Sequence, residues 1–477
     1  MRFWVSGQLP VPSRRAHETG AGAKDKIPPR LTEEFYYIMG AMLQRYEILV
    51  IGGGVAGTTA AETIRKHEPY LKIAILENEP HPLYSRVFLP AYARDEIDLG
   101  HVFLRRLDDY AQKDIDIYFP LKVMRIDFSS RRVEGDDGRS FSYQKLLIAS
   151  GGQVEPWEFE RGFQDKILRL QTLEDAERLR SRLKGKKIRQ ALVVGGGFIT
   201  LEFLNIFYKY GVQVTLLLRD EFFWKGHVDE VGGEFFTELF SRHGVTLLAP
   251  DEIYKIQRGG EGLEVRTKND RKISCDFIAA GLGLHRNSEL AQGVLDTDAG
   301  IRVNEFLEAR ALSFSSQNGE MLRDSISPER SEGGSDGRLQ VWAAGDVAEY
   351  FDEFSQRWKV VGNWTHGFLS GHAAGLNMLG QKKRFQLVPT YSIKALGSVV
   401  TFLGEVEERY AGATLRCYEP QGKKYIRFFL KDEKLIGAVL FNAYKEKPLL
   451  AKWIETRKDL SHIKEALGDG SIPLETL

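Results

Sequence analysis

Cysteine is almost missing from this chain of 477 residues: Cys275 and Cys417 are the only two, far apart and in unlike surroundings. That scarcity excludes a disulfide framework, a cysteine-rich zinc site and a four-cysteine iron–sulfur cluster held by the chain itself. It suits a reducing compartment, and a cytoplasmic location is the expectation. Net charge is missing as well. The 66 Lys+Arg offset 66 Asp+Glu, so no overall field draws in nucleic acid or an acidic membrane, and a partner must be recognised locally. A membrane-length apolar run is also lacking. The uncharged stretch 360–381 holds five Gly, two His and two Asn, far too polar for the ~20 apolar residues of a bilayer span, and reads as buried inside protein. Residues 1–45 have no short apolar core of a signal peptide; they read as a disordered extension, or as an upstream start before Met39 or Met42.

What is present is enough to build several cores. At 43% hydrophobic and 11% aromatic the chain is not disordered as a whole, and its length predicts two to four domains of roughly 100–200 residues each. From Tyr46 an apolar run to Ile51, a glycine turn, a helix-like stretch to His67 and a second apolar run, Leu71 to Leu76, make a strand–helix–strand unit. A second such opening follows, with Ala191 to Val194, the turn Gly195 to Gly197, a helix from Phe198 and a strand at Val212 to Leu218. Residues 309–338 are Ser/Gly/charge-rich and read as a flexible insertion. Beyond Lys383, strand-like Ser398 to Phe402, Lys424 to Leu430 and Leu435 to Phe441 precede a helix-like Lys445 to Arg457, a separate α+β domain.

Gly52-Gly53-Gly54-Val55-Ala56-Gly57 is a GxGxxG directly after a strand and opening a helix, with Glu77 at the end of the next strand, 25 residues after Gly52. Glycines there allow a tight turn and the close approach of a pyrophosphate to amides at the helix N-terminus, while the acid takes ribose hydroxyls. Gly52, Gly54, Val55, Ala56, Gly57 and Glu77 are therefore candidate dinucleotide-binding residues, with FAD or NAD as the ligand. Two further apolar strands end in small residues: Leu146-Leu147-Ile148-Ala149-Ser150-Gly151 and Val341-Trp342-Ala343-Ala344-Gly345-Asp346. Small side chains let a ligand lie against backbone, and Asp346 can accept from ribityl hydroxyls.

In this order the segments resemble the fingerprints of the two-dinucleotide-binding pyridine nucleotide-linked FAD oxidoreductases, and among them rubredoxin reductase, ferredoxin reductase and the flavin part of assimilatory NADH nitrite reductase. The resemblance runs from about Tyr46 to Phe441. It implies an α/β chain of two interleaved Rossmann-like units: an FAD domain at 46–165 and 288–382, an NAD(P)H domain at 166–287, and an α+β interface domain at 383–477 that pairs subunits into a homodimer. It places Val123, Ala149, Ser150, Gly151, Gly345, Asp346, Asn363 and Trp364 at the FAD. It also aims the helix that starts at Trp364 toward the flavin, where its positive end favours reduced flavin. Where the disulfide reductases carry cysteines this chain has Pro82-Leu83-Tyr84-Ser85-Arg86-Val87-Phe88-Leu89-Pro90, which excludes thiol relay chemistry there. The resemblance sends Arg86 toward the FAD pyrophosphate or flavin edge; a surface salt bridge is the other reading. Ferredoxin reductase relatives carry a Lys a few residues later, paired with a Glu near the flavin, whereas Ala91 occupies that place here.

The second turn, Gly195-Gly196-Gly197-Phe198-Ile199-Thr200-Leu201-Glu202, resembles the NAD(P)H fingerprint and nominates Gly195, Gly197, Phe198, Ile199 and, beneath the nicotinamide or flavin, Glu202 as a catalytic candidate. Thr200 replaces the third glycine, which serves close helix–strand packing. Leu216-Leu217-Leu218-Arg219-Asp220 lacks the acid expected of NADH enzymes, so Arg219 either holds a 2′-phosphate or is an exposed strand-end residue. Asp276 to Asn287 resembles the strand and turn that close the NAD(P)H domain, a resemblance that places Gly281 near the nicotinamide ribose. The expected function is an FAD-dependent NAD(P)H oxidoreductase, using NADH or NADPH and passing electrons to a small redox protein, a quinone, oxygen or a partner subunit. The alternatives are a flavin-bearing scaffold or electron-transfer subunit that no longer uses NAD(P)H, and a non-redox dinucleotide sensor. A metal site at His366 and His372 is not expected.

Overall fold

The computed structural model describes residues 43–312, 339–419 and 424–469. Strand β1 (Gln44–Ile51), helix α1 (Val55–His67) and strand β2 (Ile73–Leu76) form the first strand–helix–strand unit. The ends of β1 and β2 are buried without interruption, as a strand covered on both faces requires. After a short helix α2 (Leu89–Ala93) come β3 (Ile115–Tyr118), β4 (Val123–Asp127), β5 (Arg132–Gly135) and β6 (Ser140–Ile148). Among the described residues they build one sheet in the order β3–β2–β1–β6–β5–β4, parallel from β3 to β6 and antiparallel across β5 and β4.

Strand β7 (Gly152–Val154) leaves this unit. The next one repeats its plan, with β8 (Ile167–Leu168), β9 (Gln190–Val194), helix α3 (Phe198–Lys209), β10 (Gln213–Leu217), β11 (Val245–Leu248), a meander of β12 (Ile253–Gly259), β13 (Gly262–Thr267) and β14 (Lys272–Cys275), then β15 (Phe277–Ala280). Its sheet order is β11–β10–β9–β15–β8. The chain returns along β16 (Leu284–Arg286), which pairs antiparallel with β7, so two strands tie the units together. Beyond it, β17 (Ile301–Val303) and β18 (Val341–Ala343) follow, β18 rejoining β6 in parallel. The hairpin β19 (Ala348–Asp352) and β20 (Arg357–Val360) precedes helix α4 (Trp364–Met378).

Of the expected insertion 309–338, residues 313–338 lie outside the described residues, as do 1–42 of the expected extension. Residues 309–312 are not loose. Ala309 donates to the Val341 carbonyl and Leu312 to that of Val294, both at 2.9 Å.

The last part of the chain is a five-stranded antiparallel sheet of β21 (Thr390–Ala395), β22 (Ser398–Gly404), β23 (Ala413–Glu419), β24 (Lys424–Lys431) and β25 (Lys434–Phe441), with helix Lys447–Glu455 against it. It shares a core with the second unit. Phe402, Tyr425, Phe429 and Phe441 pack with Phe203, Phe207, Phe223 and Phe236. The first unit has its own core, from Ile48, Val50, Ile75 and Ile148 to Ala373 and Met378.

Helix α4 presses directly on α1. A Cβ on Gly371 would collide with the Ala56 carbonyl, one on Gly367 would lie 2.7 Å from Val55 Cγ1, and one on Gly375 2.9 Å from the Ala60 carbonyl. Glycines at 367, 371 and 375 thus set the distance between the two helices. Gly371→Ala forces α4 away from α1, and the expected cost is about 2 kcal/mol of stability, read as a lowered midpoint in guanidinium unfolding. An unchanged midpoint would show that the helices have room to spare.

Candidate functional site

The first glycine turn is shaped by backbone contact. Gly52 has φ +101°, and a side chain there would run into the Ala149 carbonyl at the end of β6. At Gly57 a Cβ would strike the Gly52 carbonyl. Only glycine lets α1 start this close to the turn, and Gly54, its N-cap, has nothing within 4 Å of a would-be Cβ. The N-cap residue lends no side-chain hydrogen bond and the first turn holds no acid, so the amides of Val55, Ala56 and Gly57 face an open anion site. Beside it, Glu77 accepts from the amides of Gly53 and, at 2.7 Å, Glu79. Burial pushes its carboxyl up, which those amides partly offset. Val123 begins β4 two residues beyond Leu121, whose amide binds the Glu77 carbonyl at 2.7 Å.

Further along the cleft, Gly345 takes φ +76° with its would-be Cβ 2.9 Å from that of Ala56, so Asp346 stands next to the start of α1. No hydrogen bond from the described residues reaches the Asp346 carboxylate. Its pKa is raised by burial, and Arg286 and Arg86 oppose the shift. Arg86 is itself held by Glu79 at 2.5 Å, by Tyr84 Oη at 3.1 Å and by the Gln171 carbonyl. It is therefore both a salt-bridge partner and a cation facing Asp346. Ser150 and Gly151 are taken up by the ribbon between the units: Ser150 Oγ donates to the Asn287 carbonyl at 2.7 Å, and Gly151 O accepts from the Asn287 amide at 3.0 Å. At the start of α4, Asn363 caps the helix through its side-chain oxygen, which accepts from the His366 amide at 2.8 Å; that oxygen is not free for a ring. Trp364 is half-buried at the first helical position. His366 is fully buried between Tyr350 and Phe385, and burial drives its pKa down to about 3. No metal-binding cluster occurs among the described residues.

The second turn copies the first. Gly195 has φ +113° and would collide with the Gly281 carbonyl if it bore a side chain. Thr200 occupies the position of Gly57, and its hydroxyl donates to the Gly195 carbonyl at 2.8 Å, so the side chain that replaces the third glycine is bonded back to its own turn. Gly197 caps α3 without a side-chain bond, leaving the amides of Phe198, Ile199 and Thr200 open. The Phe198 ring packs on Tyr391 and Phe402, with centroids 4.3 and 5.0 Å away, and Ile199 is exposed.

The hydrogen bonds of the two turns also align position by position. The amides of Gly52 and Gly195 bind the carbonyls of Leu76 and Leu217; Glu77 and Leu218 bind those of Tyr118 and Leu248. Leu218 therefore stands where Glu77 stands, and the exposed Arg219 is its neighbour.

Glu202 projects from α3 at the junction of three elements. Arg94, just past α2, donates to it at 3.2 Å. Burial pushes the Glu202 carboxyl up and Arg94 holds it down; it also repels ionisation of Tyr391 from β21, whose pKa burial lifts to about 12. The basic partner that Ala91 cannot supply is thus Arg94, from the same short segment. Sequence spacing did not locate it, because the fold of α2 decides which residue faces α3.

Residues 46–312 match the family model described as pyridine nucleotide-disulphide oxidoreductase, and residues 389–458 match that of the rubredoxin NAD+ reductase C-terminal domain. The chain belongs to the pyridine nucleotide-disulphide oxidoreductase family. Over 89% of its length it is 22% identical to an assimilatory nitrate reductase electron transfer subunit of Bacillus subtilis, of which it spans about half, 51%. It is 25% identical over 90% of its length to the ferredoxin–NAD(+) reductase component of a p-cumate 2,3-dioxygenase system of Pseudomonas putida, covering 97% of that protein. Its fold matches the covalent putidaredoxin reductase–putidaredoxin complex at TM-score 0.78 and 22% identity, over 90% of this chain and 97% of the other. Members of the family use FAD and NAD(P)H. The site fits FAD by its own features: an open helix start without acid and, among the described residues, a carboxylate with no hydrogen-bond partner and near it an arginine Nε buried without an acceptor. The family's disulfide chemistry does not fit, since Cys275 lies buried at the end of β14 with its thiol pushed up to about 12, and Cys417 is on β23.

A carboxyl whose folded pKa is raised destabilises the fold wherever it is ionised, and the cost disappears below its unfolded value of about 3.9. Asp346→Asn should therefore raise the thermal midpoint of the FAD-free protein at pH 8, and the gain should close as the pH falls toward 4. A gain that persists unchanged at pH 4 would show that ionisation of Asp346 is not its source.

Proposed function

We propose that the protein is an FAD-dependent NAD(P)H oxidoreductase whose electrons leave to a separate small redox protein of the ferredoxin or rubredoxin kind. The observation that carries this is the repeat itself. Two glycine turns with open helix starts, one beside Asp346 and one beside Glu202, belong to units joined by the ribbon of β7 and β16. Of the two, the first suits the resident cofactor, with FAD across 46–165 and 288–382 and the nicotinamide nucleotide on 166–287. When bound, FAD supplies a two-electron carrier that takes hydride from the nicotinamide and releases electrons onward.

The chain's residues position and polarise. The amides at the start of α1 bind pyrophosphate, Glu77 takes ribose hydroxyls, and Asp346 takes ribityl hydroxyls. The amides at the start of α3 hold the second pyrophosphate. Glu202, fixed by Arg94, lines the nicotinamide side of the cleft and orients what lies there. The segment Pro82 to Pro90, where the disulfide reductases carry their cysteines, holds none here, which supports direct transfer from flavin to an outside acceptor. The hydroxyl of Thr200 accommodates the missing glycine, which argues against a unit that has lost nucleotide binding.

Leu218 at the position of Glu77 removes the carboxylate that would bond a 2′-hydroxyl and repel a 2′-phosphate, and Arg219 follows it with no hydrogen bond or ion pair to the described residues. NADPH is accordingly the proposed donor. In an anaerobic titration followed by flavin bleaching, NADPH should reduce the flavin at lower concentration than NADH, and Arg219→Ala should raise the NADPH requirement about tenfold while leaving NADH unchanged. Failure of both nucleotides to bleach the flavin at about millimolar concentration would refute the oxidoreductase reading. Bleaching by NADH alone would refute the donor assignment only.

A further inference from the structure

Strand β16 ends in an arginine that the protein itself leaves almost unbonded. Arg286 lies in register with Gly152 of β7. A Cβ on Gly152 would be 3.5 Å from Arg286 Nη1 and 3.6 Å from its Cδ, so the glycine is the floor over which the side chain lies. Among the described residues Nη1 reaches only the Leu284 carbonyl, at 3.5 Å, beyond a good hydrogen bond. Nε is buried with no acceptor among the described residues. A buried guanidinium N–H without an acceptor is costly, which points to an acceptor that the polypeptide does not provide.

The group facing it is Asp346. A Cβ on Gly362 would lie 3.2 Å from Arg286 Nη2 and 3.3 Å from Asp346 Oδ2. The two charges thus flank one exposed point, and they form neither a hydrogen bond nor an ion pair with each other. The gap lies between the start of α1, against which Gly345 packs, and the start of α4, to which Gly362 leads. A donor with free N–H groups opposite a carboxylate with free lone pairs suits a hydroxyl, which accepts from the first and donates to the second. A phosphate in the same gap would meet the Asp346 charge.

We propose that Arg286 is a cofactor-binding residue which, with Asp346, grips one hydroxyl of the FAD ribityl chain, Arg286 donating to it and Asp346 accepting from it. The assignment rests on the FAD reading above. Because Arg286 sits on the ribbon that joins the two units, and Asn287 beside it is bonded to Ser150, the grip also ties the cofactor to the crossing between them.

The test is FAD binding to the FAD-free protein, measured by quenching of flavin fluorescence, for the wild type, Arg286→Ala, Asp346→Asn and the double variant, with circular dichroism showing that each apoprotein is folded. Arg286→Ala should weaken FAD binding about ten- to a hundredfold. The double variant should lose much less than the product of the two single losses, since either substitution alone already releases half of the grip. Arg286→Gln, which keeps an N–H at the position of Nε but loses the charge and the reach of Nη1 and Nη2, should fall between Ala and wild type, and it serves if the Ala variant does not fold. Wild-type affinity in Arg286→Ala or Arg286→Gln would overturn the proposal, and so would losses that multiply, because they would place the two side chains on different parts of the cofactor. A wild-type apoprotein that binds no FAD would instead overturn the FAD assignment on which the proposal stands.

Discussion

Two carbonyl oxygens, those of Ala149 and Gly281, occupy the space where a side chain on the first turn residue would otherwise go. Each belongs to the strand end next to a glycine turn, and each leaves glycine as the residue that fits at 52 and 195. The contact is what allows a helix to begin within reach of the strand ends with its first amides unpaired. From it follow the open anion sites of α1 and α3 and the placement of the next strand beside each turn, and Asp346, with Arg86 and Arg286 in electrostatic reach, stands next to the start of α1. The two turns share a backbone and differ in side chains, with Thr200 at the position of Gly57 and Leu218 at that of Glu77. Glu77 bonds back to its own turn through the Gly53 amide, while Leu218 offers only methyl groups. One frame thereby yields two unequal nucleotide sites.

The units are held in relation by side chains as well as by the ribbon. Glu202 from α3 meets Arg94 from the first unit and lies within electrostatic reach of Tyr391 from the C-terminal sheet, while Phe198 packs on that sheet through Tyr391 and Phe402. A half-buried carboxylate between a cation and a phenol is an expensive arrangement unless its partners stay in place. It therefore gives the three parts of the chain a reason to keep one mutual orientation where they meet.

Much of this was legible because it is local. Gly52, Gly57 and Glu77 are separated by fixed steps of one strand–helix–strand unit, and the glycines of α4 repeat every four residues, so spacing puts them on one face; that this face meets α1 rather than a strand is seen in the fold. The residues that spacing did not reveal act across the fold. Arg94 pairs with Glu202 over 108 residues, and the side chain of Arg286 meets Gly152 and faces Asp346 only because β16 returns along β7. Thr200 looked like a defect in the sequence, since the penalty for a β-branched residue was visible and its hydrogen bond to the Gly195 carbonyl was not. Asn363 is expected at the FAD, and only the folded backbone shows its side-chain oxygen turned to the His366 amide.

The central claim is that one frame carries two dinucleotides, one resident and one exchangeable, and the most direct measurement is a binding stoichiometry. Protein loaded with FAD should contain one flavin per chain, and calorimetric titration of that protein with NADP+ should then fill one further site per chain, abolished by Gly195→Val with the flavin content unchanged. A flavin-loaded chain that takes up no nicotinamide nucleotide, or whose uptake survives Gly195→Val, would contradict the account.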